Sequence, residues 1–170
     1  MLRSIKTFFR DPEPTPRYDE IAPGLNIVEG IVTVDTPLRS PVRQQNCVAF
    51  FYRSFLVITG GRAPAIHKLK EAAVYTPFNL EMQGGNLAVI PAKPGSFSHQ
   101  EHLELGRQYG KDFQGVEDII LPGARVRLRG NAQKTSEGFI FKLKEITVVD
   151  KQAVAAGVVG DRKKRKKRKK

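Results

Sequence analysis

Cysteine is nearly absent from these 170 residues: Cys47 is the single example. One thiol excludes an internal disulfide and any cysteine-rich metal site. Histidine is scarce too, with His67, His99 and His102 making up the full set of three. His99 and His102 stand three apart, one residue short of the spacing in H-E-x-x-H and H-x-x-E-H metal helices. A zinc centre would need a third ligand besides, and neither His67 nor Cys47 has a characteristic spacing to the pair. No metal is expected, and "SHQEH" reads as a polar, exposed loop. No apolar run approaches the ~20 residues that cross a bilayer. The longest, "CVAFFYRSFLVI", is interrupted by Arg53 and Ser54. The N-terminal residues carry positive charge but lack the apolar stretch of ~7–15 residues typical of a secretory leader. These absences predict a protein that is not secreted, placed in the cytoplasm or peripherally at a membrane.

Signatures of catalysis are missing as well. "TGGR" and "GGNLAVIPAKPG" contain glycines, but not in the G-x-G-x-x-G or G-x-x-x-x-G-K-S/T order that cradles phosphate. Glu117 and Asp118 are adjacent, so on a strand they point to opposite faces and cannot act as a carboxylate pair. Cys47 opens the most apolar strand and reads as a small core residue, not as a nucleophile in an open electropositive setting. No enzyme, cofactor or small-molecule substrate is therefore expected.

Positive charge is abundant but unevenly placed. The chain has 29 Lys+Arg against 17 Asp+Glu, a net +12. Its last nine residues are Arg162, Lys163, Lys164, Arg165, Lys166, Lys167, Arg168, Lys169 and Lys170. Without them the balance is 20 basic to 17 acidic, or +3. The basic character belongs to the tail. A run with no apolar residue and one sign of charge is expected to be disordered. Such a run grips an anionic membrane surface or, by releasing counterions, nucleic acid without sequence preference.

The rest of the chain divides into an N-terminal segment and Pro-rich linker (residues 1–23), a β domain (24–149), and a flexible tether with the tail (150–170). Residues 1–10 have amphipathic helical spacing through Leu2, Ile5, Phe8 and Phe9, and the prolines of "DPEPTPR" stop any helix. The domain is predicted to be mainly β, a small barrel or sandwich of short strands with one helical insertion. "LNIVEGIVTVDT" alternates around Ile27, Ile31 and Val34, with Gly30 at a bulge or close backbone approach. "CVAFFYRSFLVI" is too continuous to be half exposed throughout. "NLEMQGGNLAVIPA" predicts a hairpin between Leu80 and Leu87. In "ARVRLRGNA", Val126 and Leu128 alternate with Arg125, Arg127 and Arg129, which predicts a strand with its arginines outward. "GFIFKLKEITVV" alternates Phe139, Phe141 and Leu143 against Ile140, Lys142 and Lys144, then changes phase near Glu145. The insertion is "SFSHQEHLELGRQYG", residues 96–110.

The order of these elements resembles a known family. "VEGIVTVDTPLRSPVRQQNCVAFFYR" has a glycine in the first strand, a "PL-x-SP" element, then a cysteine leading into an aromatic strand (Gly30, Pro37, Leu38, Ser40, Pro41, Cys47, Tyr52). "YTPFNLEMQGGNLAVIPA" follows through Pro77, Phe78, Leu80, Gly85, Leu87, Val89 and Pro91. "VEDIILPGARVRLRGNA" adds Glu117, Leu121, Pro122, Gly123, Val126 and Gly130. Over roughly residues 24–149 this resembles the GIDE-type, or beside-a-membrane (BAM), domain of the membrane-anchored mitochondrial ubiquitin ligases. The resemblance implies a β-rich interaction domain next to a bilayer, with Gly30 and Gly123 serving backbone geometry and Phe78, Leu87 and Val89 in the core. In that family a separate RING domain carries ligase activity and flanking helices cross the membrane. This chain has no such helix, and one cysteine cannot form a RING, so ligase activity is not carried over.

Two readings follow. One is a non-enzymatic GIDE-like interaction domain with an unknown protein partner, held near an anionic membrane by its tail. The other is a small β-barrel nucleic-acid binder in which the tail and the Arg125, Arg127 and Arg129 face track phosphates.

Overall fold

The computed structural model describes residues 13–91, 93, 95–150 and, for the backbone alone, 154–159. The candidate helix at 1–10 and the basic run at 162–170 lie outside the described residues.

The alternating segments fold as strands. β1 (Gly24–Thr33), β6 (Phe78–Met82), β7 (Gly85–Pro91), β9 (Arg125–Thr135) and β10 (Gly138–Val148) close into a barrel in the order β1-β6-β7-β10-β9. All its pairs are antiparallel except β7 with β10. Numbered as barrel strands alone, the order is 1-2-3-5-4, the Greek-key arrangement shared with OB-type barrels. The strand patterns explain what fills it. Val28, Val32, Leu80, Leu87, Val89, Val126, Leu128 and Phe141 alternate with exposed or half-exposed neighbours and are sealed inside.

Several local expectations are met. Leu80 pairs with Leu87 across the "QGGN" turn. β10 changes register between Leu143 and Glu145, where the apolar pattern slips by one residue. Gly30 lies where a Cβ would run into the carbonyl oxygen of Glu81 on β6, so only glycine permits this closeness.

Between barrel strands β1 and β6 the chain makes two short strands, β2 (Leu38–Arg39) and β3 (Asn46–Cys47), then a long hairpin, β4 (Ala49–Ile58) and β5 (Ala65–Tyr75). Between β7 and β9 it makes α1 (His99–Tyr109) and β8 (Phe113–Ile120). A four-stranded antiparallel sheet then forms in the order β11-β8-β4-β5. β11 (Val154–Val159) falls within the stretch expected to serve as a tether and pairs antiparallel with β8. Its small side chains permit a tether, but the open edge of β8 supplies a hydrogen-bonding partner.

The sheet's base packs on the barrel through Val48, Ala49, Phe51, Tyr75 and Ile120. Its other face buries Phe50, Tyr52, Val74 and Ile119 against Phe97. α1 begins with a capping box: Ser98 Oγ accepts from Glu101 N at 3.2 Å, and Glu101 Oε2 accepts from Ser98 N at 2.7 Å.

The proline-rich segment is extended, as its composition requires, but it is also fastened to the barrel. Thr15 N donates to Ile27 O at 2.8 Å and Tyr18 N to Gln83 O at 2.9 Å. Tyr18 Oη accepts from Phe139 N at 3.1 Å.

Candidate interaction surfaces

The arginines of β9 do face outward, as their alternation predicts. Register places Glu29 of β1 directly across from Arg127, with Arg125 on the diagonal. The Glu29 carboxylate, only 11% exposed, accepts from Arg125 Nε at 2.8 Å and from Arg127 Nη2 at 3.2 Å. One carboxylate therefore partly neutralises two of the three predicted cations. Arg129 lies opposite Ile27 on one side and Glu145 on the other. Lys142 and Lys144 are exposed, while Phe141 and Leu143, which alternate with them, are buried. The face offers charge without an aromatic platform, and base stacking needs both. The neighbouring β6–β7 face presents Glu81, Asn86, Ala88 and Ile90, again with neither cation nor aromatic.

Glu117, Cys47 and the two helix histidines meet on the face of the four-stranded sheet turned away from the barrel. Glu117 is fully buried. It accepts from Ser40 Oγ at 2.9 Å, Val42 N at 2.8 Å and Arg43 N at 2.9 Å, clamping the loop that joins β2 to β3. Asp118 points the other way and pairs with Arg53 at 3.2 Å.

His99 and His102 depart from the exposed stretch expected of them. They project from α1 towards the sheet and are half-buried. His99 Nδ1 meets Pro41 O at 2.5 Å, and His102 Nδ1 meets Tyr52 Oη at 3.0 Å. Burial, then the neighbouring His99, holds His102 below its ordinary value, with Glu117 opposing. Burial raises the Tyr52 phenol. Ser54 lies near enough to Tyr52 to oppose that rise, yet no protein group completes a hydrogen bond with its Oγ. Cys47 is fully buried, and burial reinforced by Glu117 pushes its thiol up to about 12. A thiol so shifted stays protonated and unreactive near neutral pH. Among the described residues no three His, Cys, Asp or Glu side chains gather as a metal site. The cluster fastens a loop and a helix to a sheet.

Two further surfaces were not legible from the composition. A cleft of about 470 Å³ opens where sheet meets barrel, lined by Ala73, Tyr75, Pro91, Lys93, Gly95, Leu143 and Lys144. Its floor is apolar, its two charges are positive, and no carboxylate lines it, so it suits an apolar group with negative charge beside it. The second is the far half of the β4–β5 hairpin. "CVAFFYRSFLVI" is buried only as far as Tyr52 and at Ser54; Ile58 is 42% exposed and, across the hairpin, Ile66 is 66% exposed. The unbroken apolar run is a buried strand for half its length and a projecting one for the rest. The signal that could have found this is the charge pattern: no acidic residue occurs from Ser54 to Lys70.

No family model, curated protein or solved structure matches this chain. No helix among the described residues is long and apolar enough to cross a membrane.

Proposed function

We propose that this protein is a non-enzymatic, GIDE-like interaction domain that works at an anionic membrane surface, with the run from Arg162 to Lys170 as its electrostatic anchor. The observation that carries this reading is the pairing of Glu29 with both Arg125 and Arg127. It lowers the positive potential of the arginine face, and the chain outside the tail carries only +3, so the strongest polyanion-binding element is the tail. Near an anionic leaflet each basic residue contributes about 1 kcal/mol, which makes nine sufficient even after screening. The β domain is then the part that receives a protein partner. The cleft between Lys93 and Lys144 is a concavity suited to an acidic, apolar-bearing side of such a partner.

The barrel's strand order favours a second reading, because OB-type barrels often hold single-stranded nucleic acid. The neutralised arginines and the inward-facing Phe141 weigh against it. Co-sedimentation with phosphatidylserine vesicles, with excess RNA and physiological salt, separates the two. The full chain should pellet with lipid, and a chain ending at Gly160 should not. RNA binding that survives this truncation would replace the membrane reading with the nucleic-acid one.

A further inference from the structure

We propose that the tip of the β4–β5 hairpin is a lipid-insertion element, which dips into the headgroup region of an anionic bilayer while the tail holds the protein there. The inference rests on the membrane reading above and adds a site on the folded body.

Pairing defines where the tip begins. β4 has β8 on one side only as far as Leu56, which lies opposite Phe113. Beyond that, Val57 pairs with Ile66 and Ile58 with Ala65, and neither pair has a strand on the β8 side. A two-stranded ribbon therefore projects past the sheet by about 7 Å plus its turn, at roughly 3.3 Å per residue. That reach is comparable to the ~5–10 Å to which interfacial elements sink.

The ribbon's composition is wrong for water. Successive residues point to opposite faces, so Val57 and Ile66 make one side apolar while Ile58 and Ala65 do the same for the other. Neither hydrophobic core contains any of them. Exposed isoleucines on a ribbon stabilise nothing within the chain itself, and edge strands normally carry polar groups instead. A binding surface must cover them.

The cations identify that surface. Arg62 lies in the turn, beyond the two isoleucines, and Lys68 and Lys70 follow the tip along β5. All three are exposed, and Lys68 is also paired with Glu71 at 2.8 Å. Lys68 and Lys70 stand behind the apolar pairs, Arg62 in the turn can reach a lipid phosphate, and no carboxylate occurs from Ser54 to Lys70, a composition that suits an anionic leaflet. Lys68 and Lys70 also discourage a peptide strand from pairing along β5, which disfavours a protein at this place.

The sole native thiol makes a direct test practical. Cys47 is buried and resists labelling, so an Ile66→Cys full-length variant takes an environment-sensitive maleimide dye at one exposed position. Asn86→Cys, on the barrel's β7, serves as the control. Each is mixed with phosphatidylserine/phosphatidylcholine vesicles carrying brominated acyl chains, and sedimentation is measured alongside. Expected are a blue shift and acyl-chain quenching at position 66, with neither at 86. An Ile58→Asp/Ile66→Asp variant of the full chain should lose about ten-fold or more in vesicle partitioning at physiological salt. Sedimentation with lipid but no change in the dye at 66 would overturn the hairpin's role and leave the membrane reading standing. Failure of the full chain to sediment at all would overturn both.

Discussion

The buried side chains of the barrel strands are apolar throughout, with Val28, Val32, Leu80, Met82, Leu87, Val126, Leu128 and Phe141 among them. The sheet beside it, by contrast, buries a carboxylate and three hydroxyls, those of Glu117, Ser40, Ser54 and Tyr52. Closure accounts for the difference. A closed barrel satisfies its backbone N–H and C=O groups strand to strand and leaves no edge. The open sheet is instead covered by a loop, and the loop's buried N–H groups need an acceptor that no strand supplies. Glu117 is that acceptor. The barrel is therefore the scaffold, while the sheet carries the polar clamp and the projecting hairpin.

The largest effects should come from breaking each core in its own manner. Glu117→Ala strands Ser40 Oγ, Val42 N and Arg43 N at once and should cost about 4 kcal/mol, since hydrogen bonds to charged groups are worth ~1.5–3 each and do not fully add. Leu128→Ala opens a cavity in the barrel and should cost about 3 kcal/mol. Urea titration measures both. Glu117→Gln, which keeps an acceptor oxygen, should recover more than half of the first loss, whereas Leu128→Met should recover most of the second. Equal losses for Ala and Gln at 117 would mean that charge, not acceptor geometry, holds the loop.

Next in size is backbone closeness in the barrel. A Cβ at Gly130 would run into the carbonyl oxygen of Lys142, so Gly130→Ala should destabilise by about 2 kcal/mol. Gly60, in the hairpin turn, has open space around it, and Gly60→Ala should be nearly neutral.

The sheet should also respond to pH where the barrel does not. His102 is held below its ordinary 6.5 by burial and by His99, against the pull of Glu117, and its ring faces Tyr52. The unfolded chain thus takes up the proton more readily. Its contribution to stability is complete above pH 6.5 and is lost as pH falls towards the depressed folded value. Urea midpoints between pH 7.5 and 5.5 should decline, and His102→Gln should flatten that slope.

The smallest effect belongs to the barrel's exterior. Arg127→Ala removes one half-exposed ion pair and should change stability by less than about 1 kcal/mol. Glu29→Gln frees two arginines, so RNA affinity measured by filter binding in the tail-less chain should rise, but by less than about ten-fold, because no aromatic platform accompanies the charge. A larger rise would revive the nucleic-acid reading.

Much of the barrel was legible from the sequence. The phase change near Glu145, the Leu80–Leu87 hairpin and the outward arginines follow from alternation, which depends on immediate neighbours alone. β4 was legible as a strand but not in its exposure, because a continuous apolar run looks the same whether a second layer covers it or not. β11 was missed because Val154–Val159 carries no alternating pattern; the free edge of β8 defines it. For the His99/His102 pair, spacing excluded the metal-helix motifs but could not reveal Pro41 and Tyr52 as their neighbours.

The sequence by itself determined the strands, their inward residues, the turn chemistry and the concentration of positive charge in the last nine residues, because each depends on local period and composition. Which strands meet was decided only in three dimensions. Glu29 reaches Arg125 and Arg127 across about a hundred residues of chain, Glu117 reaches Ser40 across nearly eighty, and the hairpin tip is exposed because β8 starts at Phe113. These contacts depend on sheet order and register, which no local pattern encodes, and they separate a partly neutralised arginine face from an exposed apolar hairpin tip.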